Sequence, residues 1–457
     1  MKRLLLSVFI LLAGCAIPHT YDDPVNPNLV TDAALASRAV ELEEHYQEVS
    51  QMEGIVFRSH RTDVSMSLPN KFGNGGDSCI FTGHKLAADV YNYGVTGAKE
   101  DLSKVVQSLR GLYLLTHITG KPGVICRTAF PLRIANRWNY PENWEERVAE
   151  GFVHESTDTV EDPFRHGKPF DAMVYYTRAT KDQLTGLLFG LTVTWKHLRA
   201  STEEHIPLVD AIRYVVATIV EDVYSHLREH SFKIRDEKGE NDTNADGVDG
   251  LMLTQLLALY RHTAVTTNPK KVKKIKERYR KGFTLSFKGP HSWFNRFNNY
   301  QQYYAWNLRY LRSYSVFQLE NDPGRQVDIM VYMRRRLWPF TRNHLNTKFI
   351  YLYNAVSGDE DNLDDALFAL KSLSLKPIRG EDSPLGGDER SPSLLQVLLG
   401  DWDKFVLAPH LRKKTGFSIW QKTPWGVGNV GYKGKEDATG IDYLLAYWMG
   451  RYYGYLR

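Results

Sequence analysis

The chain has 457 residues, of which 42% are hydrophobic and 24% charged, and its formal net charge is +5. This composition is that of a globular protein and excludes a disordered or fibrous chain. The net charge is small for this length and does not indicate nucleic-acid binding. Aromatic residues make up 12% of the chain, and Tyr and Trp suit both sugar clefts and ordinary cores.

The first fifteen residues have the pattern of a bacterial export signal. Lys2 and Arg3 precede an apolar run that is too short to span a bilayer, and the run ends in LAGC at 12–15. This ending resembles the lipobox of bacterial lipoproteins, which implies cleavage before Cys15 and lipidation of its thiol and amino group. Ala16, rather than Asp, follows the cysteine, and by the same resemblance this favours the outer membrane of the cell envelope. An ordinary cleaved signal with a chance cysteine is the alternative.

Three segments are therefore expected along the chain. Residues 1–14 are the signal peptide, and residues 15–30, rich in Pro, Asp and Asn, are a tether between lipid and fold. Residues 31–457 are expected to form one domain. No later segment is long and apolar enough to span a membrane, so the expected membrane contact is the lipid on Cys15.

Helical patterns of two kinds alternate along the domain. The first kind is apolar or aromatic nearly all round, which is typical of helices buried on most sides. These segments are 78–93, 183–198, 250–262, 300–317, 348–355 and 441–455. The second kind has one charged face, which is typical of helices exposed on that side. These segments are 31–52, 99–117, 202–230, 269–281, 325–337 and one within 362–373.

The connections between these helices differ in length according to their direction. Those that lead from a buried helix to an amphipathic one are short and supply turn and cap residues, as in VTGAKED and VSGDEDN. Those in the opposite direction are long. In an antiparallel ring every buried helix begins at the same end, so the long loops would gather on one rim, where functional sites usually lie.

Together these features predict an all-α fold, an (α/α)6 toroid with six inner and six outer helices. The sequence resembles the (α/α)6 toroid superfamily, closest to bacterial lipoproteins of this fold and more distantly to its glycoside hydrolases and polysaccharide lyases. The pieces that carry the resemblance are DxxxxTGH at 77–84, VTG at 95–97, ITGKPGVICR at 118–127, RATKDQLTGLLFGL at 178–191 and TGIDYLLAYWMGRYYG at 439–454. The resemblance implies a carbohydrate-active enzyme whose partner is a glycan.

Asp77 and Asp182 are the candidate catalytic residues. Each lies at the start of a buried helix, and each is followed by a Thr-Gly pair. A carboxylate at this position can cap the first amide groups and is stabilised by the helix dipole, which is the structural interpretation. Two carboxylates that face one cleft can instead act as the general acid and base of glycoside cleavage. Both interpretations remain open at this stage.

Basic residues near these acids are candidates for substrate binding. Arg127 and Arg178 suit carboxylate- or sulfate-bearing substrates, because a guanidinium binds such groups with two hydrogen bonds. An internal ion pair that orders the loop is the alternative for both. His84 could transfer protons near neutral pH, with a buried core histidine as the alternative.

Three further candidates come from later in the chain. The aromatic loop at 291–306 contains Trp293 and Tyr300, which could stack on sugar rings, and Asp442 begins the last buried helix. Core packing is the alternative for the aromatic residues.

Asp242, Asn244 and Asp246, followed by Gly247, match the first half of a calcium-binding loop. The Glu expected at the twelfth position is absent, and a polar turn, which needs the same residue types, is the alternative to calcium. No other cofactor is expected. The motifs HExxH, GxSxG and CxxC are absent from the sequence.

Two other features leave alternatives open. Cys79 and Cys126 either form a disulfide, as an oxidising compartment would allow, or remain buried thiols. The run NPKKVKKIKERYRKGF at 268–283 predicts a solvated outer helix face, or one that lies against anionic lipid headgroups.

The sequence thus supports two functions. The first is an exported, lipid-anchored enzyme, a glycoside hydrolase or polysaccharide lyase, acting on an envelope or environmental glycan. The second is a non-catalytic glycan-binding or envelope-scaffold lipoprotein.

Overall fold

The structure is a computed structural model, and α-helices make up most of its described residues. The described residues are 26–63, 65–72, 75–133, 153–155, 160–165, 168–240, 247–248, 250–267, 272–288, 303–379, 404–412, 418–425 and 436–456. Within these ranges α-helices dominate and the strands are short, so the predicted all-α class is confirmed.

Twelve α-helices occur in the described part of the chain, and they match the twelve predicted segments to within a few residues at each end. They are α1 (Asp32–Val49), α2 (Ser78–Thr96), α3 (Lys99–His117), α4 (Lys181–His197), α5 (Ile206–Glu229), α6 (Gly250–Thr267), α7 (Val272–Phe283), α8 (Tyr304–Leu319), α9 (Pro323–Arg336), α10 (Thr347–Ser357), α11 (Leu363–Ser374) and α12 (Ile441–Tyr452).

The tight turns have the predicted chemistry. The α2–α3 turn places Gly97 in the left-handed region, with φ of 66°, and the Gly97 amide donates to the carbonyl of Tyr93. Gly358 does the same at the end of α10, with φ of 71°. Such positions favour glycine because an L side chain is strained there, so these glycines end the buried helices.

The long connection between α3 and α4 contains a small antiparallel sheet that the sequence analysis treated as irregular loop. Its strands are β5 (Cys126–Pro131), β6 (Val153–Glu155) and β7 (Met173–Arg178), with β7 in the centre. Two shorter antiparallel pairs precede α2. They are β1 (Gln51–Met52) with β2 (Ile55–Val56), and β3 (Ser59–His60) with β4 (Lys71–Phe72). In the three-stranded sheet Cys126 pairs with Arg178, so both candidate arginines lie at one end of it.

The buried helices contact one another in a closed series. Helix α2 packs on α4, α4 on α6, α6 on α8, α8 on α10, α10 on α12, and α12 on α2 again. Helices α4 and α8 also contact each other directly, so α6 packs against both without separating them. The amphipathic helices pack on the outside of this series, for example α3 on α2 and α7 on α6.

The repeated Thr-Gly pairs explain the closest of these contacts, between α2 and α4. A Cβ atom added to Gly83 would lie 2.0 Å from the carbonyl oxygen of Gly186. One added to Gly190 would lie 2.5 Å from the carbonyl oxygen of Gly83. The two helices therefore touch backbone to backbone, which only glycine permits. This contact brings the beginnings of α2 and α4, and hence Asp77 and Asp182, next to each other.

Aromatic side chains fill the other end of the buried helices. The hydroxyl of Tyr314 lies 2.5 Å from that of Tyr91 and 2.6 Å from that of Tyr453. It also lies 3.2 Å from Nε2 of His197. Burial lowers the pKa of His197 to about 3, so this histidine is neutral at physiological pH. This hydrogen-bonded cluster occupies the end of the helices opposite to the two acids.

Candidate functional site

Asp77 lies in a short 3-10 turn, Gly75–Asp77, directly before α2, and its carboxylate does not cap that helix. Its Oδ1 accepts a hydrogen bond from Nε2 of Gln183 at 3.4 Å and lies 3.6 Å from Nη2 of Arg127. The side chain is 43% exposed. The capping interpretation of Asp77 is therefore not what the geometry supports.

Asp182 is the second residue of α4, and its helix is capped by other side chains. Oε1 of Gln183 accepts from the backbone amide of Thr180 at 2.8 Å and from its hydroxyl at 2.7 Å. Nε2 of Gln183 donates to the carbonyl of Gly76 at 3.0 Å. Gln183 therefore ties the start of α4 to the turn that carries Asp77.

The electrostatic surroundings of Asp182 are unusual for an aspartate. Burial raises its pKa, and the nearby charge of Asp77 raises it further. The guanidinium groups of Arg312 and Arg127 and the ammonium group of Lys181 act in the opposite direction, without cancelling the rise. The charge of Asp77 thus acts directly on the carboxyl group of Asp182.

Arg127 reaches this cluster from the end of the three-stranded sheet, where Arg178 also lies. Nε of Arg127 donates to the carbonyl of Gly76 at 2.6 Å, which orients the guanidinium toward Asp77. Strand β7 ends at Arg178, whose backbone φ is 50°, a conformation that costs energy for a residue with a side chain. Both side chains are half-buried.

Two residues of α8 complete the cluster. Sequence reasoning missed Arg312, whereas Tyr304 belongs to the aromatic loop at 291–306 that was a candidate for stacking on sugar rings. Nε and Nη2 of Arg312 donate to the hydroxyl of Thr185 at 2.9 and 2.8 Å. Tyr304 is 40% exposed. Partial burial raises the pKa of its hydroxyl, and the charge of Asp182 raises it further. No motif marks Arg312, because only the α4–α8 contact brings it to the acids. We call Asp77, Asp182, Arg127, Arg312 and Tyr304 the rim cluster.

His84 lies deeper than the rim cluster, about two helical turns below Asp77 on α2. Its ring packs between Phe81 and Phe189, and its Nδ1–H donates to the carbonyl of Ile80 at 2.8 Å. Burial and the neighbouring Lys348 hold the pKa of His84 well below its usual value. His84 is therefore a buried neutral histidine, the alternative considered for it in the sequence.

Beside His84 lies a buried lysine that has no carboxylate at hydrogen-bond distance among the described residues. Nζ of Lys348 donates to Oδ1 of Asn307 at 2.5 Å and lies 3.5 Å from Nε2 of His84. Burial lowers the pKa of Lys348 to about 7, while Asp442 acts in the opposite direction. The amine thus changes charge near neutral pH inside the fold.

Asp442 has structural partners in the described part of the chain. Its Oδ2 accepts from the amide of Ile419 at 3.0 Å, and its backbone carbonyl accepts from Nε1 of Trp420 at 2.8 Å. The carboxyl group is buried, and burial raises its pKa. Asp442 thus holds the short 418–421 segment against the start of α12.

The remaining candidates lie outside the described residues. They are Cys15, Asp242, Asn244, Asp246, Trp293 and Tyr300. In the ranges that are described, no group of His, Cys, Asp and Glu side chains could hold a metal ion. Cys79 and Cys126 are both free and buried. None of the helices described above is long and apolar enough to cross a membrane.

Comparisons with known proteins found no protein family, curated protein or solved structure that matches this chain. A functional assignment therefore rests on the rim cluster.

Proposed function

We propose that this chain is an exported, lipid-anchored glycan-cleaving enzyme, a glycoside hydrolase or polysaccharide lyase, with Asp77 and Asp182 as its catalytic pair. One observation carries the proposal. Asp77 and Asp182 come from the starts of neighbouring helices, and the charge of Asp77 acts on the carboxyl group of Asp182. The side chain of Asp77 does not cap α2, and Gln183 accepts the capping hydrogen bond at the start of α4.

The fold that we propose for this enzyme is an (α/α)6 toroid. The closed series of contacts among the six buried helices supports it, as does the placement of the amphipathic helices around them. The direct contact of α4 with α8 makes the proposed ring tight on one side. This contact is also what brings Arg312 to the two acids.

The two acids receive different roles. A raised pKa keeps a proton on a carboxyl group at higher pH, so Asp182 is the general acid. Asp77 is 43% exposed and lies beside the guanidinium of Arg127, so we assign it the role of base or nucleophile. If the enzyme is a hydrolase, the distance between the two carboxyl groups in its glycan complex would determine whether the anomeric configuration is retained or inverted.

Arg127 and Arg178 would bind anionic groups of the glycan. Arg127 is 24% exposed, so its guanidinium keeps access to solvent beside the acids. Export and acylation of Cys15 rest on the lipobox at 12–15, which supports a location in the bacterial outer membrane. The proposed ligands of a calcium ion are Asp242, Asn244 and Asp246.

A screen of glycan degradation tests this function. The full chain is incubated with a panel of envelope and environmental polysaccharides, and reducing ends and unsaturated products are measured. We expect Asp77→Asn to lower turnover by roughly 10²–10⁴-fold on any glycan that the wild type cleaves. Asp210→Asn, which changes an exposed acid of α5, is the matched control. Equal rates for wild type and Asp77→Asn would remove Asp77 from the mechanism.

One observation favours the alternative, a glycan-binding lipoprotein without catalysis. Asp77 already interacts with Arg127 and Gln183, as it would in a purely structural network. Binding of a glycan that is never cleaved, with equal affinity for wild type and Asp77→Asn, would support this second function.

A further inference from the structure

A strongly basic surface lies on α7 and the π-helical turn that follows it, Thr284–Lys288. We call this the basic surface, and its exposed cations are Lys273, Lys274, Lys276, Arg278, Arg280, Lys281 and Lys288. The rim reaction makes no use of these residues.

The charge of this segment differs in sign from that of the rest of the chain. Residues 270–288 contain nine Lys and Arg and one acid, Glu277, a net charge of +8. The whole chain has a formal net charge of +5, so the remainder carries −3. The basic character of this protein is therefore concentrated in one segment.

The opposite face of α7 fixes the basic surface in place. Ile275, Tyr279 and Phe283 are buried. The hydroxyl of Tyr279 donates to Glu320 at 2.6 Å, and the guanidinium of Arg261 lies 4.0 Å from the Tyr279 ring. The helix cannot rotate to bury its cations without breaking these contacts.

Neighbouring acids neutralise only part of the charge. Glu277 lies 3.4 Å from Nζ of Lys281, and Asp328 lies 2.9 Å from Nζ of Lys288. No ion pair joins Lys273, Lys274 or Lys276 to an acid in the described ranges. These three cations lie on the outward face at the beginning of α7.

Leu285 adds an apolar element to the same surface. Its side chain is 74% exposed, directly after the basic helix α7. The surface thus combines one exposed apolar side chain with a row of Lys and Arg.

We propose that the basic surface docks on an anionic phospholipid bilayer, with Leu285 entering the boundary between headgroups and acyl chains. Lys and Arg near an anionic membrane surface attract it additively, which suits a segment of charge +8. A single-stranded nucleic acid would need exposed aromatic rings for stacking, whereas Tyr279 and Phe283 are buried here. This proposal is independent of the reaction at the rim cluster.

An environment-sensitive fluorophore at position 285 tests the docking. The full chain with Leu285→Cys is labelled with a nitrobenzoxadiazole group, and emission is compared in phosphatidylglycerol and phosphatidylcholine vesicles. Acylation of Cys15 would hold the chain on both vesicle types equally, so a difference reports on the basic surface alone. We expect a blue shift with phosphatidylglycerol that is absent with phosphatidylcholine and is reversed by high salt.

Two variants make the result specific. Lys273→Gln, Lys274→Gln and Lys276→Gln combined should weaken docking on the order of 100-fold and abolish the blue shift. The same label at Tyr214→Cys, an exposed residue of α5 with 64% exposure, should show no lipid-dependent shift. Labelled wild-type chain measures the background from Cys79 and Cys126.

Three outcomes would overturn the proposal. They are no shift in phosphatidylglycerol, an equal shift in both lipids, and a shift that survives the triple substitution. Binding of duplex DNA by the wild type, without any lipid-dependent shift, would assign the basic surface to nucleic acid instead.

Discussion

Two aspartates with similar positions in the sequence have different environments in the structure. Asp77 is 43% exposed and lies beside Arg127, whereas the pKa of Asp182 is raised by burial and by the charge of Asp77. Carboxyl groups in such contrasting environments are suited to opposite roles in proton transfer. The sequence analysis named both residues as candidate catalytic residues but could not assign one as the acid and the other as the base.

The pKa of Asp182 provides a test at the level of one residue. Arg312 lowers that pKa, so Arg312→Met should raise it further. If Asp182 is the general acid, activity is lost when it deprotonates, and the alkaline limb of the kcat/KM profile should move to higher pH. Arg309→Met, three residues away on α8, should leave the limb in place. A shift of the limb to lower pH in Arg312→Met would contradict the assignment.

Lys348 gives a second test, this time of stability. Its pKa is about 7 in the folded chain and 10.5 ordinarily, so the unfolded chain binds more protons between these values. The contribution of Lys348 therefore makes wild-type stability rise with pH across that window, by up to roughly 1.4 kcal/mol per pH unit. Lys348→Met removes this contribution, so its stability relative to wild type should be greatest below pH 7 and should decline toward pH 10.

Denaturant unfolding at pH 6, 7.5 and 9 measures this difference. Lys99→Met, at a site where the lysine side chain is 66% exposed, is the control and should follow the wild type at every pH. Parallel pH dependences for wild type and Lys348→Met would show that the amine is not a titrating buried group.

Neither Lys348 nor Arg312 could be selected from the sequence, because their significance depends on neighbours from other helices.

At the level of secondary structure, the helices followed from periodicity and from turn residues. All twelve predicted segments form helices, because each has either an apolar stripe or an apolar surface that burial stabilises. The sheet of β5, β6 and β7 was missed because its strands lie within a long connection of mixed composition. Short strands carry little periodicity, and only their pairing distinguishes them from loop.

The Thr-Gly repeat shows how a sequence motif can have a structural cause. It first indicated a recurring catalytic element, and the structure shows that its glycines allow α2 and α4 to touch. The position of the acids is a consequence of that contact. Small residues that recur on buried helices therefore indicate close helix packing and do not by themselves indicate a catalytic site.

Gly83→Ala tests this contact. Alanine normally stabilises a helix relative to glycine by about 1 kcal/mol, but here its Cβ would meet the carbonyl of Gly186 at 2.0 Å. We expect net destabilisation of about 1–3 kcal/mol in urea unfolding. Gly324→Ala, at an exposed position in the first turn of α9, should change stability less, because its Cβ would lie 3.2 Å from the side-chain Oδ1 of Asp322 and not against backbone. Equal stability of Gly83→Ala and wild type would mean that the two helices are further apart than described.

At the level of the whole molecule, alternation of two helix types and asymmetry of loop length predicted where a site would lie. The beginnings of α2 and α4 do carry a polar cluster, while the opposite end is closed by tyrosines around His197. The direct contact of α4 with α8 could not be predicted, since helical periodicity determines which faces are buried and not which helices meet. The proposed ring and its proposed activity both depend on this arrangement.

The central claim is that Asp77 and Asp182 act together on one substrate. The most direct measurement is turnover of the best-cleaved glycan by Asp77→Asn, Asp182→Asn and the double variant. Residues that act as a unit have strongly non-additive effects on kcat, so the double variant should be little slower than the slower single variant. Independent losses that multiply in the double variant, or full activity in either single variant, would contradict the account.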